Sequence, residues 1–221
     1  MERIQTIILV AGLGFFILAG LIMGVWPYTL LKGTPVQSLE DLAREVHPAF
    51  QDLATRYPES FAEYYGTVDS ESYGQALETG RRAYIAEACW HCHSQQIRPV
   101  SNESLRWGPV SRPGEYQNVM HLPQLLGTRR VGPDLSREAG RRSNDWHAAH
   151  LYEPTWVAPT SVMPSYRWFF ETRTDTEGNE RIVPNRKGLG LIIYLQWLGS
   201  WADSSTPATF YSTETVIGEQ P

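Results

Sequence analysis

The two cysteines of the chain constrain its fold more than any other feature. Cys89 and Cys92 are the only cysteines among 221 residues, and they frame the string CWHCH at residues 89–93. A C-x-x-C-H string is the attachment signature of c-type haem. Each thiol can add to one vinyl group of the porphyrin, and His93 follows directly to ligate the iron. The sequence therefore predicts one covalent haem c, held by Cys89 and Cys92, with His93 as an axial ligand.

A redox dithiol and a zinc site are the alternative interpretations of the same string. A thioredoxin-like pair needs no histidine in the next position and lies in a βαβ context, which is not evident here. A zinc site needs further ligands, and the chain has no other cysteine. Haem attachment would use both thiols, so no disulfide is expected.

The amino-terminal segment is apolar over a length that crosses a bilayer. Residues 4–31 contain no charged side chain, and about 20 apolar residues suffice for a transmembrane helix. Trp26 and Tyr28 would lie in the aromatic belt at one end. A cleaved signal peptide is the alternative, but its apolar core is about 7–15 residues long and precedes a small-residue cleavage site, which is absent here. We predict a retained transmembrane anchor over residues 1–32.

The rest of the chain is predicted to fold around the haem. Residues 33–72 are interpreted as a periplasmic linker with short helices, 73–202 as the cytochrome c haem domain and 203–221 as a C-terminal tail. Gly80 and Tyr84 share one side of the helix that runs into the cysteines. In class I cytochromes c, which this pattern resembles, a glycine and an aromatic at such positions let a second helix cross closely, and the resemblance implies that a helix near the carboxyl end crosses here. The fold class is mostly α, with one transmembrane helix followed by a class I cytochrome c-like all-α domain.

A haem iron that shuttles electrons needs a second axial ligand, usually Met or His. Outside the anchor, the internal methionines are Met120 and Met163. Met163 lies far downstream of His93 in a proline-containing segment, from which its thioether can project. We predict Met163 as the second ligand, with Met120 and a second histidine as the alternatives.

Three further residues are candidates for the haem pocket. The carbonyl of Pro133 can accept a hydrogen bond from the far ring nitrogen of His93, although Gly-Pro also forms ordinary turns. Arg98 can pair with a haem propionate or with a carboxylate of a partner, or it can simply be solvated. Trp146 can line the haem crevice or belong to the core.

Four motifs, in this order, resemble the mono-haem cytochrome subunit, subunit II, of cbb3-type cytochrome c oxidases. They are CWHCHSQQIRP at residues 89–99, GPDL at 132–135, a helix with a W-H-x-x-H pattern at 143–151, and PTSVMPSY at 159–166. The amino-terminal anchor agrees with the resemblance.

The resemblance implies an electron relay. The electron would arrive from another cytochrome c and leave for a haem–copper catalytic subunit that reduces oxygen in aerobic respiration. This chain would be an electron-transfer subunit without a catalytic oxygen site. Haem c is attached outside the bacterial cytoplasmic membrane, so the amino terminus is expected in the cytoplasm and the haem domain in the periplasm. The net charge of −5 argues against nucleic-acid binding.

Two other functions share some of these features. One is the cytochrome c subunit of a nitric-oxide reductase, also anchored and mono-haem, but residues 97–99 and the W-H-x-x-H helix favour the oxidase. The other is a free-standing electron shuttle or haem sensor, which leaves residues 33–72 and the tail unexplained.

Overall fold

The computed structural model describes residues 2–127, 129–174 and 178–200, and the predicted tail at 203–221 lies outside them. The chain divides between residues 36 and 37 into two compact units. The predicted boundary between linker and haem domain, at residues 72 and 73, therefore falls inside the second unit.

The first unit is an apolar helix. Helix α1 spans Glu2–Gly20 and continues through a π-helical turn, Leu21–Val25, into α2 at Trp26–Leu31. The segment Arg3–Leu30, 28 residues long, is apolar enough to cross a membrane. Its large hydrophobic side chains are exposed, and a continuous exposed apolar surface indicates a partner other than water. The structure confirms one amino-terminal helix that could serve as a membrane anchor.

The second unit is mostly helical, as predicted. Its α-helices are α3 (Leu39–Ala43), α4 (Pro48–Arg56), α5 (Pro58–Tyr64), α6 (Ser70–Ala86), α7 (Glu103–Trp107), α8 (Asn144–Tyr152) and α9 (Arg186–Trp197). Short 3-10 turns occur at Cys89–His91, Pro113–Tyr116, Val119–His121, Pro154–Trp156 and Arg167–Phe169.

Helices α6 and α9 cross closely at the centre of this unit. A Cβ atom placed on Gly80 would lie 1.9 Å from the carbonyl oxygen of Gly190, so the backbones meet where neither helix has a side chain. Beside this point, the rings of Tyr84 and Tyr194 meet edge to face with centroids 5.5 Å apart. The helix crossing predicted from the sequence is present, and it places the end of α6, just before the cysteines, on the core.

Helices α4 and α5 contribute to the same core. Phe50, Leu53 and Phe61 are almost fully buried, and the Phe50 ring contacts those of Phe61 and Tyr73 with centroids 4.8 and 5.3 Å apart. The short helices expected in residues 33–72 are therefore part of the compact unit. The burial of aromatic side chains holds these helices against the core.

A β-hairpin departs from the all-α description. Strands β1 (Phe170–Thr174) and β2 (Glu180–Pro184) pair antiparallel, with Thr172 opposite Ile182. The chain leads from the hairpin through Asn185, the N-cap residue of α9. The second unit is thus mostly helical but carries this two-stranded element.

Candidate haem-binding site

The cysteines lie on a tight turn that follows α6. Ala88 has a left-handed backbone with a φ of 54°, which ends the helix and starts the 3-10 turn Cys89–His91. The His93 amide then donates to the Cys89 carbonyl at 2.9 Å. Both thiols are free of disulfides, with Cys89 half-buried and Cys92 exposed. One turn of chain therefore presents two available thiols and the following imidazole together.

The imidazole of His93 is held by the second loop of the site. Its Nδ1 lies 2.9 Å from the carbonyl oxygen of Pro133, which accepts the ring N–H. The Gly132 amide donates to the Cys92 carbonyl at 3.1 Å, and the Tyr84 hydroxyl donates to the His93 carbonyl at 2.7 Å. With Nδ1 occupied, Nε2 is the ring nitrogen left to ligate a metal.

The charge state of His93 suits a metal ligand. Burial lowers the pKa of His93 below its usual value, against the opposing influence of the Pro133 carbonyl and the Asp134 charge. The imidazole is consequently neutral at neutral pH, and a histidine must be neutral to ligate iron.

Gly132 makes room for the ring. A Cβ at this position would lie 2.2 Å from Cε1 and 2.6 Å from Nδ1 of His93. Gly127 packs in the same way against the attachment segment, since its Cβ would lie 2.3 Å from the Trp90 carbonyl oxygen. Two unpaired thiols, an oriented neutral imidazole and a backbone cradle beside it fit a covalently attached haem.

The segment that carries Met163 is tied to the attachment region. Met163 is half-buried against the hydrophobic core. The Tyr166 amide donates to the Leu151 carbonyl of α8 at 2.8 Å, and the Trp168 indole donates to the carboxylate of Glu87 at 3.1 Å. Glu87 precedes Cys89 by two residues, so the loop after α8 approaches the cysteines. This course supports Met163 as a ligand, which stays a prediction.

Met120 has a different setting. It is only 3% exposed, and its carbonyl accepts a hydrogen bond from the Arg81 guanidinium at 2.8 Å. Its side chain belongs to the hydrophobic core, where an unbranched thioether commonly fills space.

Arg98 and Trp146 both have protein partners. The Arg98 guanidinium donates to Glu103, with Nε 2.7 Å from Oε1, so a propionate would share this arginine with a carboxylate. Trp146 is half-buried and stacks on His150, with centroids 4.6 Å apart. The contacts of these two residues with haem stay predictions.

Sequence reasoning missed a buried network beside His93. It consists of Arg130, Asp134 and Glu103, and is joined at its edge by Arg98. Asp134 lies within the recognised GPDL motif, which was the available signal. Arg130 gave none, because a pair of arginines in a loop is most simply interpreted as solvated.

A family comparison agrees with this arrangement. The model of the family described as cytochrome c oxidase, mono-heme subunit/FixO, matches residues 60–196. The chain belongs to the FixO family. The match covers the turn with Cys89 and Cys92, the Pro133 loop, the Met163 segment and nearly all of α9. No curated protein matches the chain.

Membership of the FixO family confirms the resemblance drawn from the motifs. The chain is a mono-haem subunit of a cytochrome c oxidase-type complex. The match begins at residue 60, so it also takes in part of α5, which the sequence interpretation assigned to the linker.

Proposed function

We propose that this FixO-family subunit relays electrons through one haem c attached to Cys89 and Cys92, with His93 and Met163 as axial ligands. The observation that carries the proposal is the hydrogen bond from His93 Nδ1 to the Pro133 carbonyl, 2.9 Å long. This bond leaves Nε2 as the ring nitrogen that can ligate the iron. His93 also lies within one turn of the two free thiols. When bound, the haem supplies an iron that gains and loses one electron.

Each residue has a distinct part in the proposal. Cys89 and Cys92 hold the group covalently, so it stays in place through repeated oxidation and reduction. Burial keeps His93 neutral, and the Pro133 carbonyl orients its ring. Met163 supplies a neutral sulfur, and such a ligand raises the reduction potential. The protein thus provides binding, orientation and electronic tuning, while the cofactor provides the chemistry.

The partners follow from membership of an oxidase complex. We infer that the electron comes from another cytochrome c and passes to a haem–copper catalytic subunit, with no oxygen chemistry in this chain. We also infer that α1 and α2 anchor the chain in the bacterial cytoplasmic membrane, with the amino terminus inside and the haem domain in the periplasm. Protease added outside spheroplasts should then digest the chain beyond residue 36 and spare the anchor, whereas complete protection would contradict this orientation.

The relay is tested by replacing the proposed sulfur ligand in the assembled complex. Met163→His should keep the covalent haem and lower its potential, since a second imidazole favours ferric iron more than a thioether does. Each ~59 mV changes a one-electron equilibrium tenfold. With a drop of ~59 mV or more in the potential of this haem, oxygen consumption driven by a reduced protein donor should fall on the order of tenfold or more.

Met120→Leu is the matched control, because it replaces the other methionine at nearly the same volume. It should leave both the potential and oxygen consumption close to wild type. A Met163→His complex with full haem content, the wild-type potential and undiminished oxygen consumption would refute Met163 as the ligand. A lowered reduction potential in Met120→Leu, with the wild-type potential in Met163→His, would instead identify Met120 as the ligand.

A further inference from the structure

Arg130 lies between the loop that carries Pro133 and the segment that follows His93. Its NH1 donates to Asp134 Oδ2 at 2.7 Å, and its NH2 donates to the Gln96 carbonyl at 2.6 Å and to Glu103 Oε2 at 3.0 Å. The guanidinium also lies over the Trp107 ring, 5.3 Å from its centroid. A planar, five-donor fork can make all these contacts from one position, whereas an ammonium group cannot.

Asp134 connects the same two loops from the other side. It is completely buried, and its Oδ2 accepts from the Gln96 amide at 3.0 Å while Oδ1 accepts from the Ser136 amide at 2.8 Å. Asp134 directly follows Pro133, and Gln96 lies three residues after His93. The loop that offers the carbonyl is therefore fastened to the loop that carries the imidazole.

The network is balanced in charge and mostly shielded from water. Glu103 and Asp134 offset Arg130 and Arg98, and the Arg130 side chain is only 12% exposed. Burial tends to raise the pKa of Glu103, but hydrogen bonds from Arg98 and the charge of Arg130 outweigh it, so this pKa lies below its usual range. Each of these four side chains is ion-paired within the network, and Arg130 Nε alone among the guanidinium nitrogens of Arg130 is buried without a hydrogen-bond partner. Ion pairs shielded from water in this way hold their members in a fixed geometry.

We propose that Arg130 is a positioning residue for His93: by bridging Asp134, the Gln96 carbonyl and Glu103, it holds the Pro133 carbonyl at the imidazole N–H. The inference rests on the proposed function, since His93 must ligate a haem iron for its orientation to be read. A firm hydrogen bond at Nδ1 makes the imidazole a stronger donor to iron. Arg130 thereby sets ligand orientation and lowers the reduction potential without touching the haem.

The test is Arg130→Lys in the full-length protein, assembled in its complex and loaded with haem. The charge at position 130 is retained and the bridge is lost. The Pro133 carbonyl should loosen, the potential should rise, and the low-spin ferric g values measured by electron paramagnetic resonance should shift. Arg106→Lys is the matched control, because Arg106 lies over the same Trp107 ring, 4.7 Å from its centroid, and is outside the network. Its potential and g values should stay at wild type.

The outcomes separate this proposal from the function on which it rests. A wild-type chain without covalent haem would refute the proposed function. Haem-loaded Arg130→Lys with unchanged potential and g values would overturn the role of Arg130, as would an equal shift in Arg106→Lys. Should Arg130→Lys fail to assemble, Asp134→Asn breaks the same junction from its other side. Unchanged g values in Asp134→Asn would also overturn the proposal.

Discussion

Gly132 decides how closely the Pro133 loop can approach the His93 imidazole. The space for a β-carbon at this position is already filled by the ring. The glycine is therefore needed for close approach rather than for an unusual backbone conformation, because its φ is not positive. A loop held this near the imidazole can deliver its carbonyl to Nδ1 and keep the ring in one orientation.

Gly132→Ala should disturb the haem site directly. The added methyl would lie 2.2 Å from His93 Cε1, so the ring or the loop must move and the hydrogen bond to Pro133 must lengthen. We expect lower haem incorporation and an altered ferric spectrum in the haem that is retained. The haem-to-polypeptide ratio and electron paramagnetic resonance measure the two effects.

Gly114→Ala is the control for this substitution, because nothing lies within 4 Å of a Cβ at Gly114. Its haem content and spectrum should equal those of the wild type. Wild-type haem content and spectrum in Gly132→Ala would show that the loop does not constrain the imidazole.

The crossing of α6 and α9 is the structural basis of the site. Gly80 and Gly190 let the two backbones meet, and Asp69 caps α6 by accepting from the Ser72 amide at 2.8 Å. Since α6 ends just before the cysteine turn, the crossing fixes where that turn lies relative to the core.

Gly80→Ala should destabilise the protein by about 3 kcal/mol or more, because forcing extra volume into a packed contact costs 1–3 kcal/mol even where side chains can adjust. Here the added carbon would meet the Gly190 carbonyl at 1.9 Å. Denaturant unfolding of the detergent-solubilised chain, followed by circular dichroism, measures the change.

Gly74→Ala provides the comparison within the same helix. A Cβ there would make an ordinary contact, 3.4 Å from the Ala43 side chain. Alanine is a better helix former than glycine by about 1 kcal/mol, so this variant should be equal to or more stable than wild type. Equal destabilisation by both substitutions would show that the crossing is not specially close.

The helices that could be predicted are those whose sequence pattern is local. The apolar run before residue 32 and the two helices around Gly80 and Leu191 show their period directly in the sequence. The β1–β2 hairpin was missed even though Thr172, Ile182 and Val183 favour strands. Its strands are short, and pairing between them is not a local property of either segment.

The candidate site was predictable to a similar extent. The spacing of Cys89 and Cys92 is a local signal for haem attachment. A Gly-Pro motif indicated the Pro133 carbonyl as the acceptor for the His93 ring N–H. The role of Arg130 depends on burial and on contacts with Gln96 and Glu103, which are distant in sequence. Composition and spacing do not reveal whether an arginine is buried in a tertiary network.

The folded unit contains a buried histidine that couples its stability to pH. His121 is 2% exposed, its Nδ1 lies 3.0 Å from Asn118 Oδ1, and its ring meets that of Tyr116 edge to face. Burial, together with the charges of Arg81 and Arg137, lowers the pKa of His121 to about 4. The native protein therefore holds this imidazole in its neutral form.

Stability should fall as the pH drops from about 6.5 towards 4. Over this range the unfolded chain binds a proton at His121, with an ordinary pKa of about 6.5, and the folded protein does not. The contribution is fully present above the unfolded pKa and amounts to about 3 kcal/mol by the linkage relation. His121→Gln should reduce the slope of unfolding free energy against pH. An unchanged slope in His121→Gln would contradict this coupling.

We propose that the molecule as a whole is a membrane-anchored carrier of one covalent haem. The intact mass of the purified chain tests the covalent attachment most directly. The mass should equal that of the polypeptide plus one haem, and the adduct should lie on the peptide containing residues 89–93. Cys92→Ala should lose most of the covalently retained haem. A wild-type chain with the mass of the polypeptide alone, or with haem that acid–acetone removes, would contradict covalent attachment at Cys89 and Cys92.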